Sequence, residues 1–540
     1  MNRAIPFLAL LFFSCQDGNI KRAINSITSQ EMNQDIMALS SDSLLGRAPF
    51  TVGEERTVAY LQKRMAELKL TPAFEGSYIQ SVPMVSITTM VPNTVDFTTP
   101  KGALKLKTDE EICLWSPTIK PNIKISSADL VFAGFGIDAP EYEWNDFAGL
   151  NVSGKIIVVL VNDPGFYTHD SLLFTGNAMT YYGRWRYKFE EAERKGALGC
   201  LIVHEDAAAG YPWAVAGSKS NTPILYMDSP ELNNSRCVLN GWITLDAVRK
   251  LMVKCGYSYD SLKQLAVNRG FKPVGLKACL SLTMENRQTK SASKNVAGYI
   301  AGSKNPDEFI VYTAHWDHLG IGKAVDGDSI YNGASDNAAG IAWMLSIAKA
   351  FQNSGERPER SVLFLSPTAE ESGLFGSTYF VQHPPQEVGR MVACFNYDVA
   401  LFLGKFSDVT ITGPGHSNLD SLLRLAAKSQ NRYVISDPNP EIGMIYRSDQ
   451  LPFLKAGIPS MFAKGCIHQT ELGKEKTQEL INKYWLNTYH KPSDEFDPTR
   501  DNLDGLVEDA RLFYDMGNRL TSWNQYPKMS RTSEFYKRSR

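Results

Sequence analysis

Histidines and carboxylates recur in this chain at places where an apolar stretch has just ended. The first is Phe309–Gly320, F-I-V-Y-T-A-H-W-D-H-L-G, in which a β-branched and aromatic run gives way to His315, Asp317 and His318. In open α/β sheets ligands bind beyond the carboxyl ends of the strands. An imidazole there is a natural metal ligand, and a carboxylate two residues on is expected to accept its second N–H and fix the tautomer. Four later segments bring further donors, two of them directly after a buried strand. Asp336 lies in the glycine-flanked N-G-A-S-D-N-A-A-G that opens a helix, and Glu370 and Glu371 follow the apolar S-V-L-F-L-S-P. Asp398 closes M-V-A-C-F-N-Y-D, and His490 stands in Y-H-K-P-S-D with Asp494 four residues later.

Each segment alone also fits an uneventful role: a solvated strand end, a helix N-cap, or an acidic turn. Together they form a nitrogen and oxygen donor set with no thiolate. That set suits zinc, with cobalt or manganese as alternatives. One histidine and one carboxylate per ion, with a shared aspartate, builds a two-metal centre. Adjacent carboxylates repel unless cations or protons compensate, so Glu370 and Glu371 are read as a divided pair, one binding metal and one holding a proton.

The elements that must position these residues are buried strands at 309–312, 361–367 and 391–396, alternating with helices to about residue 520. That pattern predicts an α/β fold with a mostly parallel central sheet covered by helices on both faces. The helix after Asp336 shows one apolar face through Ile341, Met344, Leu345, Ala348 and Phe351. Near the start, Thr51-Val-Gly-Glu54 has capping-box spacing and precedes Val58, Leu61, Met65 and Leu68, an amphipathic helical face.

The chain has 540 residues, of which 43% are hydrophobic and 21% charged, enough to bury the cores of two or three domains. A net charge of −2 gives no polyanion footprint and argues against nucleic acid as a partner. No run of 18 apolar residues exists, so no spanning helix is expected. Arg3, the apolar run Ile5–Phe13 and Ser14-Cys15 read as an export signal. Cysteine directly after a small residue resembles a bacterial lipoprotein cleavage site, which implies a lipid anchor on Cys15 and a cell-envelope location. The alternative is an ordinary secretory signal. The other cysteines, Cys113, Cys200, Cys237, Cys255, Cys279, Cys394 and Cys466, are odd in number and lack C-x-x-C spacing. They fit neither a disulfide framework nor a thiolate site, and Cys200 and Cys394 are expected in the core.

Residues 115–284 have a different texture. Strands at 130–136, 155–162 and 197–203 and a helix at 187–196 form a compact strand–helix–strand unit without a catalytic cluster. Its two histidines, His169 and His204, are expected at the surface or in turns. The run from Val131 to Pro164, with K-F-E-E-A-E-R-K-G-A-L-G-C-L-I-V-H, resembles a protease-associated domain. The expected organisation is a signal at 1–15, the N-terminal part of a catalytic domain at 16–114, the insertion at 115–284, the catalytic domain at 285–524 and a basic surface tail at 525–540.

The order of the ligand segments resembles the co-catalytic zinc exopeptidases of metallopeptidase family 28, which include bacterial leucyl aminopeptidases and glutamate carboxypeptidase II. The resemblance covers about residues 290–520. It implies two zinc ions, with His315, Asp336, Glu371, Asp398 and His490 as ligands and Asp336 as the bridge. Glu370 would be the general base and Asp317 the residue that orients His315; His318 is read as supporting rather than ligating. Tyr446 and Arg447 are candidates for substrate contact. Gln450 stands where the family usually has histidine in S-D-H. The implied activity is removal of terminal residues from peptides, most consistent with an aminopeptidase. Carboxypeptidase or glutaminyl-cyclase chemistry on the same site, and a non-catalytic receptor role, are the competing readings.

Overall fold

The computed structural model describes residues 18–229 and 235–537. Cys15 and the export signal lie outside the described residues. The chain divides into two compact units. The first comprises residues 1–82, 292–437 and 447–540; the second comprises 83–291 and 438–446.

The sheet of the first unit is centred on the strand Asn305–Thr313. It pairs in parallel with Arg360–Ser366 on one side and with Arg390–Asn396 on the other. Arg390–Asn396 pairs in parallel with Ser460–Lys464. The flanks are antiparallel: Val296–Ile300 of the strand Val274–Ile300 pair with Arg360–Ser366, and Asp408–Ile411 pairs with Ser460–Lys464. The expected α/β fold with a mostly parallel, helix-covered sheet is therefore observed.

Both sheet faces are buried, which is why these strands lack polar alternation. Ile310, Tyr312, Val362, Phe364, Ala393 and Phe395 face one core, with helices Ser29–Leu39, Val52–Glu67, Ala339–Asn353 and Asp504–Ser522 packed there. The alternate residues Phe309, Val311, Leu363, Leu365 and Cys394 face a second core with Phe380 and Phe453 of helices Phe375–Gln382 and Gln450–Ala456. Parallel pairing brings the carboxyl ends of Asn305–Thr313, Arg360–Ser366, Arg390–Asn396 and Ser460–Lys464 to the same edge of the sheet.

The predicted N-terminal helix forms as Val52–Glu67, with Thr51 Oγ1 accepting from Gly53 N at 3.1 Å. Glu54 does not complete a capping box. Its buried carboxylate accepts from Phe50 N at 2.7 Å, from Ser293 Oγ at 2.8 Å and from Lys294 Nζ at 2.8 Å. Ser293 and Lys294 lie far away in sequence, beyond the reach of a local motif.

In the second unit, Ile156–Leu160, Gly199–His204 and Leu239–Thr244 form a parallel ladder, flanked on its two edges by Asn122–Phe132 and Ile112–Trp115. Helix Trp185–Arg194 buries Phe189 and Ala192 against Ile157, Val159, Cys200 and Ile202. The unit begins at Pro83, not at 115, because Thr94–Thr99 pairs with Gly102–Lys107 and with Cys279–Ser281, while Ile112–Trp115 pairs with Leu239–Thr244. It also takes residues 438–446, where Met179 N donates to Pro440 O at 3.0 Å. His169 is exposed as expected, but His204 is not a surface residue. It is buried, with its ring within 5.8 Å of those of Tyr211, Trp213 and Trp242, and neighbouring aromatic side chains cannot be read from strand position alone. The cysteines of the described residues are all free, and Cys200 and Cys394 are core residues.

Candidate metal centre

The strand Asn305–Thr313 ends at Thr313, and His315 follows beyond its carboxyl end, buried. Its Nδ1 lies 3.0 Å from the carbonyl oxygen of Asp317. A carbonyl only accepts, so Nδ1 carries a proton and Nε2 faces inward. This corrects one expectation. Asp317 orients His315 through its backbone, with its carboxylate 3.8 Å away. That carboxylate instead accepts from the backbone N–H groups of Glu370 at 3.0 Å and Glu371 at 3.4 Å. Asp317 thereby ties the loop after one strand to the turn after the next.

The inward Nε2 of His315 stands 3.3 Å from Asp336 Oδ1 and 3.3 Å from Asp398 Oδ1. The other oxygen of Asp336, Oδ2, lies 3.2 Å from His490 Nε2, which is 3.1 Å from Glu371 Oε2. His318 Nδ1 is 2.8 Å from Glu371 Oε1 and so holds the far side of that carboxylate. The structure thus assembles His315, Asp336, Glu371, Asp398 and His490 from five separate segments, with Glu370 beside His315 and Asp398.

The donor set passes a test of fit for cations. The buried Nε2 of His490 has no hydrogen-bond partner although two carboxylate oxygens are within 3.2 Å. Its placement among carboxylate oxygens suits a ligand to a shared cation. Asp336 offers one oxygen to each histidine, as a bridge between two ions would. His318 Nδ1 is engaged with Glu371, while its buried Nε2, like that of His490, has no hydrogen-bond partner, and its ring stands with Asp336 and Glu371 in a group that could itself hold an ion.

The electrostatics point the same way. Burial would pull the imidazoles down, yet Glu371 and Asp336 raise His490 to about 10, and Glu370 and Asp398 raise His315 well above the usual range. Burial works against ionised Glu371, yet His490 and His318 hold it down to about 2. Glu370 is different. Burial pushes it well above the usual carboxylate range, against the pull of His315, and the charges of Asp398 and Glu371 add to the rise. A buried cluster this rich in carboxylates demands positive charge, supplied by protons or metal ions, and within it one glutamate favours ionisation while its neighbour favours a proton.

Asp336 is not a plain N-cap. The side-chain acceptor at the start of helix Ala339–Asn353 is Asn337, whose Oδ1 accepts from Gly340 N at 3.0 Å. Asp336 is held by its own backbone: its N–H and that of Ser335 each donate to an Asp494 carboxylate oxygen at 3.1 Å. Asp494 was visible in the sequence as a carboxylate following His490. Arg47 was not. Buried, it donates to Trp316 O at 2.9 Å, Leu39 O at 2.6 Å, Asn332 O at 2.5 Å, Gly333 O at 2.8 Å and Asp336 O at 3.4 Å. No spacing rule marks an arginine whose partners are all carbonyls. Asp449 was also unforeseen: it is buried, accepts from Ser377 Oγ at 2.5 Å, and its Oδ2 has no partner. Gln450 is buried and accepts from Asn396 Nδ2 at 2.7 Å.

Of the two substrate-contact candidates, Tyr446 belongs to the second unit, where its ring packs 5.6 Å from that of Tyr181. Arg447 begins the next stretch of the first unit and is half-buried. The cluster opens toward solvent on the His490 side, whose side chain is 33% exposed against 1% for His315.

Comparison with known proteins agrees with this site. Residues 295–512 match the model of peptidase family M28. The mouse (Mus musculus) aminopeptidase NAALADL1 is 31% identical over 167 residues, 29% of this chain and 20% of that protein. A Pseudomonas aeruginosa aminopeptidase is 26% identical over 231 residues, 41% of this chain and 39% of that protein. The chain therefore spans well under half the length of these curated relatives. The solved structure of an aminopeptidase from Aneurinibacillus sp. strain AM-1 shares the fold, with a TM-score of 0.50 at 18% identity over 93% of this chain and 95% of that one.

Proposed function

We propose that this chain is a zinc-dependent exopeptidase that uses two metal ions and releases amino-terminal residues from peptides. The observation that carries the reading is Asp336, whose two oxygens are shared between His315 and His490. In this reading His315, Asp336 and Asp398 hold one ion, and His490, Asp336 and Glu371 hold the other. Zinc bound there supplies the positive charge that polarises a scissile carbonyl and makes water acidic. Glu370 takes the proton of the attacking water and returns it to the leaving amine. Its raised proton affinity suits a group that must carry a proton and give it up. Asp317 and Asp494 fix the turns that bear Glu370, Glu371 and Asp336. Amino-terminal specificity is supported by the aminopeptidase relatives from mouse and Pseudomonas aeruginosa. The second unit is read as a protease-associated-type insertion that brings no ligand of its own, and the signal-like start supports export with a lipid anchor on Cys15.

The test combines metal analysis with turnover of aminoacyl-nitroanilides and of dipeptides ending in glutamate, with and without chelator. Glu370→Gln keeps size and polarity but cannot take a proton. It should retain metal and lose about 10²–10⁴-fold in rate. Glu371→Gln replaces an anionic ligand by a weak neutral one and should bind one ion poorly. Reversed outcomes would exchange the two roles. Release only from carboxyl termini would overturn the aminopeptidase reading, and a metal-free, inactive wild type would overturn the enzyme.

A further inference from the structure

A cavity of about 630 Å³ lies in the first unit at the opposite end of the sheet from the metal cluster. Its wall includes Arg390, the first residue of the strand Arg390–Asn396, and Pro459, directly before Ser460–Lys464. The cluster lies past the other ends of these parallel strands, so the length of a strand, ~20 Å for seven residues, separates the two. The tail beyond helix Asp504–Ser522 completes the wall with Tyr526, Lys528, Arg531, Tyr536 and Lys537.

The charge of this wall is one-sided. It carries Arg390, Lys528, Arg531 and Lys537 and no carboxylate. None of the four is ion-paired among the described residues. Glu308, whose charge reaches Arg390, is already engaged by Arg360 at 2.6 Å and by the Tyr526 hydroxyl at 2.5 Å. Those bonds fix Tyr526, and the Arg390 guanidinium lies 4.0 Å from its ring centroid. The tail is held in place as well: Lys528 N donates to Asn418 Oδ1 at 2.8 Å and Ser530 N to His416 O at 2.8 Å. Guanidinium groups match phosphate in a two-pronged geometry, and the volume falls within the range of small-molecule sites, roughly 300–1,000 Å³. Two tyrosines and two methionines in the wall offer surface to an uncharged part of a ligand.

We infer that this cavity, formed by the strand-start Arg390 and the C-terminal segment 526–537, binds a phosphate-bearing small molecule or headgroup. The inference does not depend on the proposed peptidase chemistry. Calorimetric titration with adenosine diphosphate and with inorganic pyrophosphate tests soluble phosphates. Co-sedimentation with phosphatidylcholine vesicles, with and without phosphatidic acid, tests the headgroup. Saturable binding in either arm supports the inference and identifies the source. Arg390→Gln/Arg531→Gln should weaken that binding by at least about tenfold, the loss of one charge-assisted contact or more. Lys528→Gln/Lys537→Gln provides a second variant should the first fail to fold. Lys101→Gln/Lys124→Gln, with the same change of charge in the other unit, should bind as the wild type does, and peptide turnover should be the same in all. Failure of both arms overturns the inference. So does binding that survives the arginine substitutions, which would put the phosphate at the metal cluster, or binding lost equally in the control.

Discussion

Replacing Arg47 with lysine is the perturbation whose size follows most directly from the structure. All five guanidinium hydrogens are used, each on a main-chain carbonyl. Burial lowers its pKa to about 10, opposed by the charges of Asp336, Asp494, Asp317 and Glu371, so it stays ionised at neutral pH. Lysine brings three donors from a single point, so at least two carbonyls lose their partner. A hydrogen bond to a charged group contributes about 1.5–3 kcal/mol, which sets the loss at about 3–6 kcal/mol. That is a large fraction of a typical folding free energy of about 5–15 kcal/mol. Two of the carbonyls belong to Trp316 and Asp336, so the loss falls on the segments that aim His315 and Asp336. Metal affinity should drop about 10–100-fold, as when an outer partner of a ligand is removed. Urea unfolding followed by tryptophan fluorescence reads the first effect, and competition with a chromogenic chelator the second. Arg47→Met removes every bond and should be worse than lysine on both counts. A methionine variant as stable as the wild type, or unchanged metal retention in either variant, would refute the role given to Arg47.

Three further outcomes are expected. Gly517→Ala should lower the melting temperature although alanine favours a helix by about 1 kcal/mol; the added Cβ would sit 1.8 Å from the buried Tyr312 hydroxyl, which donates to Phe513 O at 2.7 Å, and a rise in melting temperature would contradict the packing argument. In the second unit, burial raises Asp146 from 3.8 to about 7 and lowers Lys188 from 10.5 to about 7. The stability from Asp146 is full below its unfolded value and lost as pH rises through 7, while that from Lys188 is full above its unfolded value and lost as pH falls through 7. Their joint contribution should therefore dip near neutrality in a pH series of urea midpoints; Asp146→Asn should flatten the acid arm and Lys188→Met the alkaline arm, and unchanged profiles would exclude both groups. Finally, Cys15→Ala should move the protein from the membrane to the soluble fraction, and equal partitioning of variant and wild type would make Cys15 incidental.

What the sequence determined by itself was the sheet and the kinds of group along its edge. Fully apolar runs of strand length, rich in β-branched and aromatic residues and each followed by His or a carboxylate, fit strands buried on both faces. The polar residue after each run then has to sit at a carboxyl end. His315, Asp398 and the glutamate pair were legible on that ground, and Asp336 and His490 from a glycine-flanked loop and the Y-H-K-P-S-D segment. Tertiary structure alone decided how they divide the work. That the carboxylate of Asp317 reaches the Glu370 turn and that Asp336 splits its oxygens between two histidines both depend on distances between segments that are remote in sequence. The same holds for Arg47, Glu54 and the buried His204, whose partners come from other segments. It holds also for the start of the second unit at Pro83, which strand pairing with residues 239–244 and 279–281 sets. Local pattern reports a residue's preference for burial and conformation; hydrogen-bond partners are assigned only when the chain closes on itself.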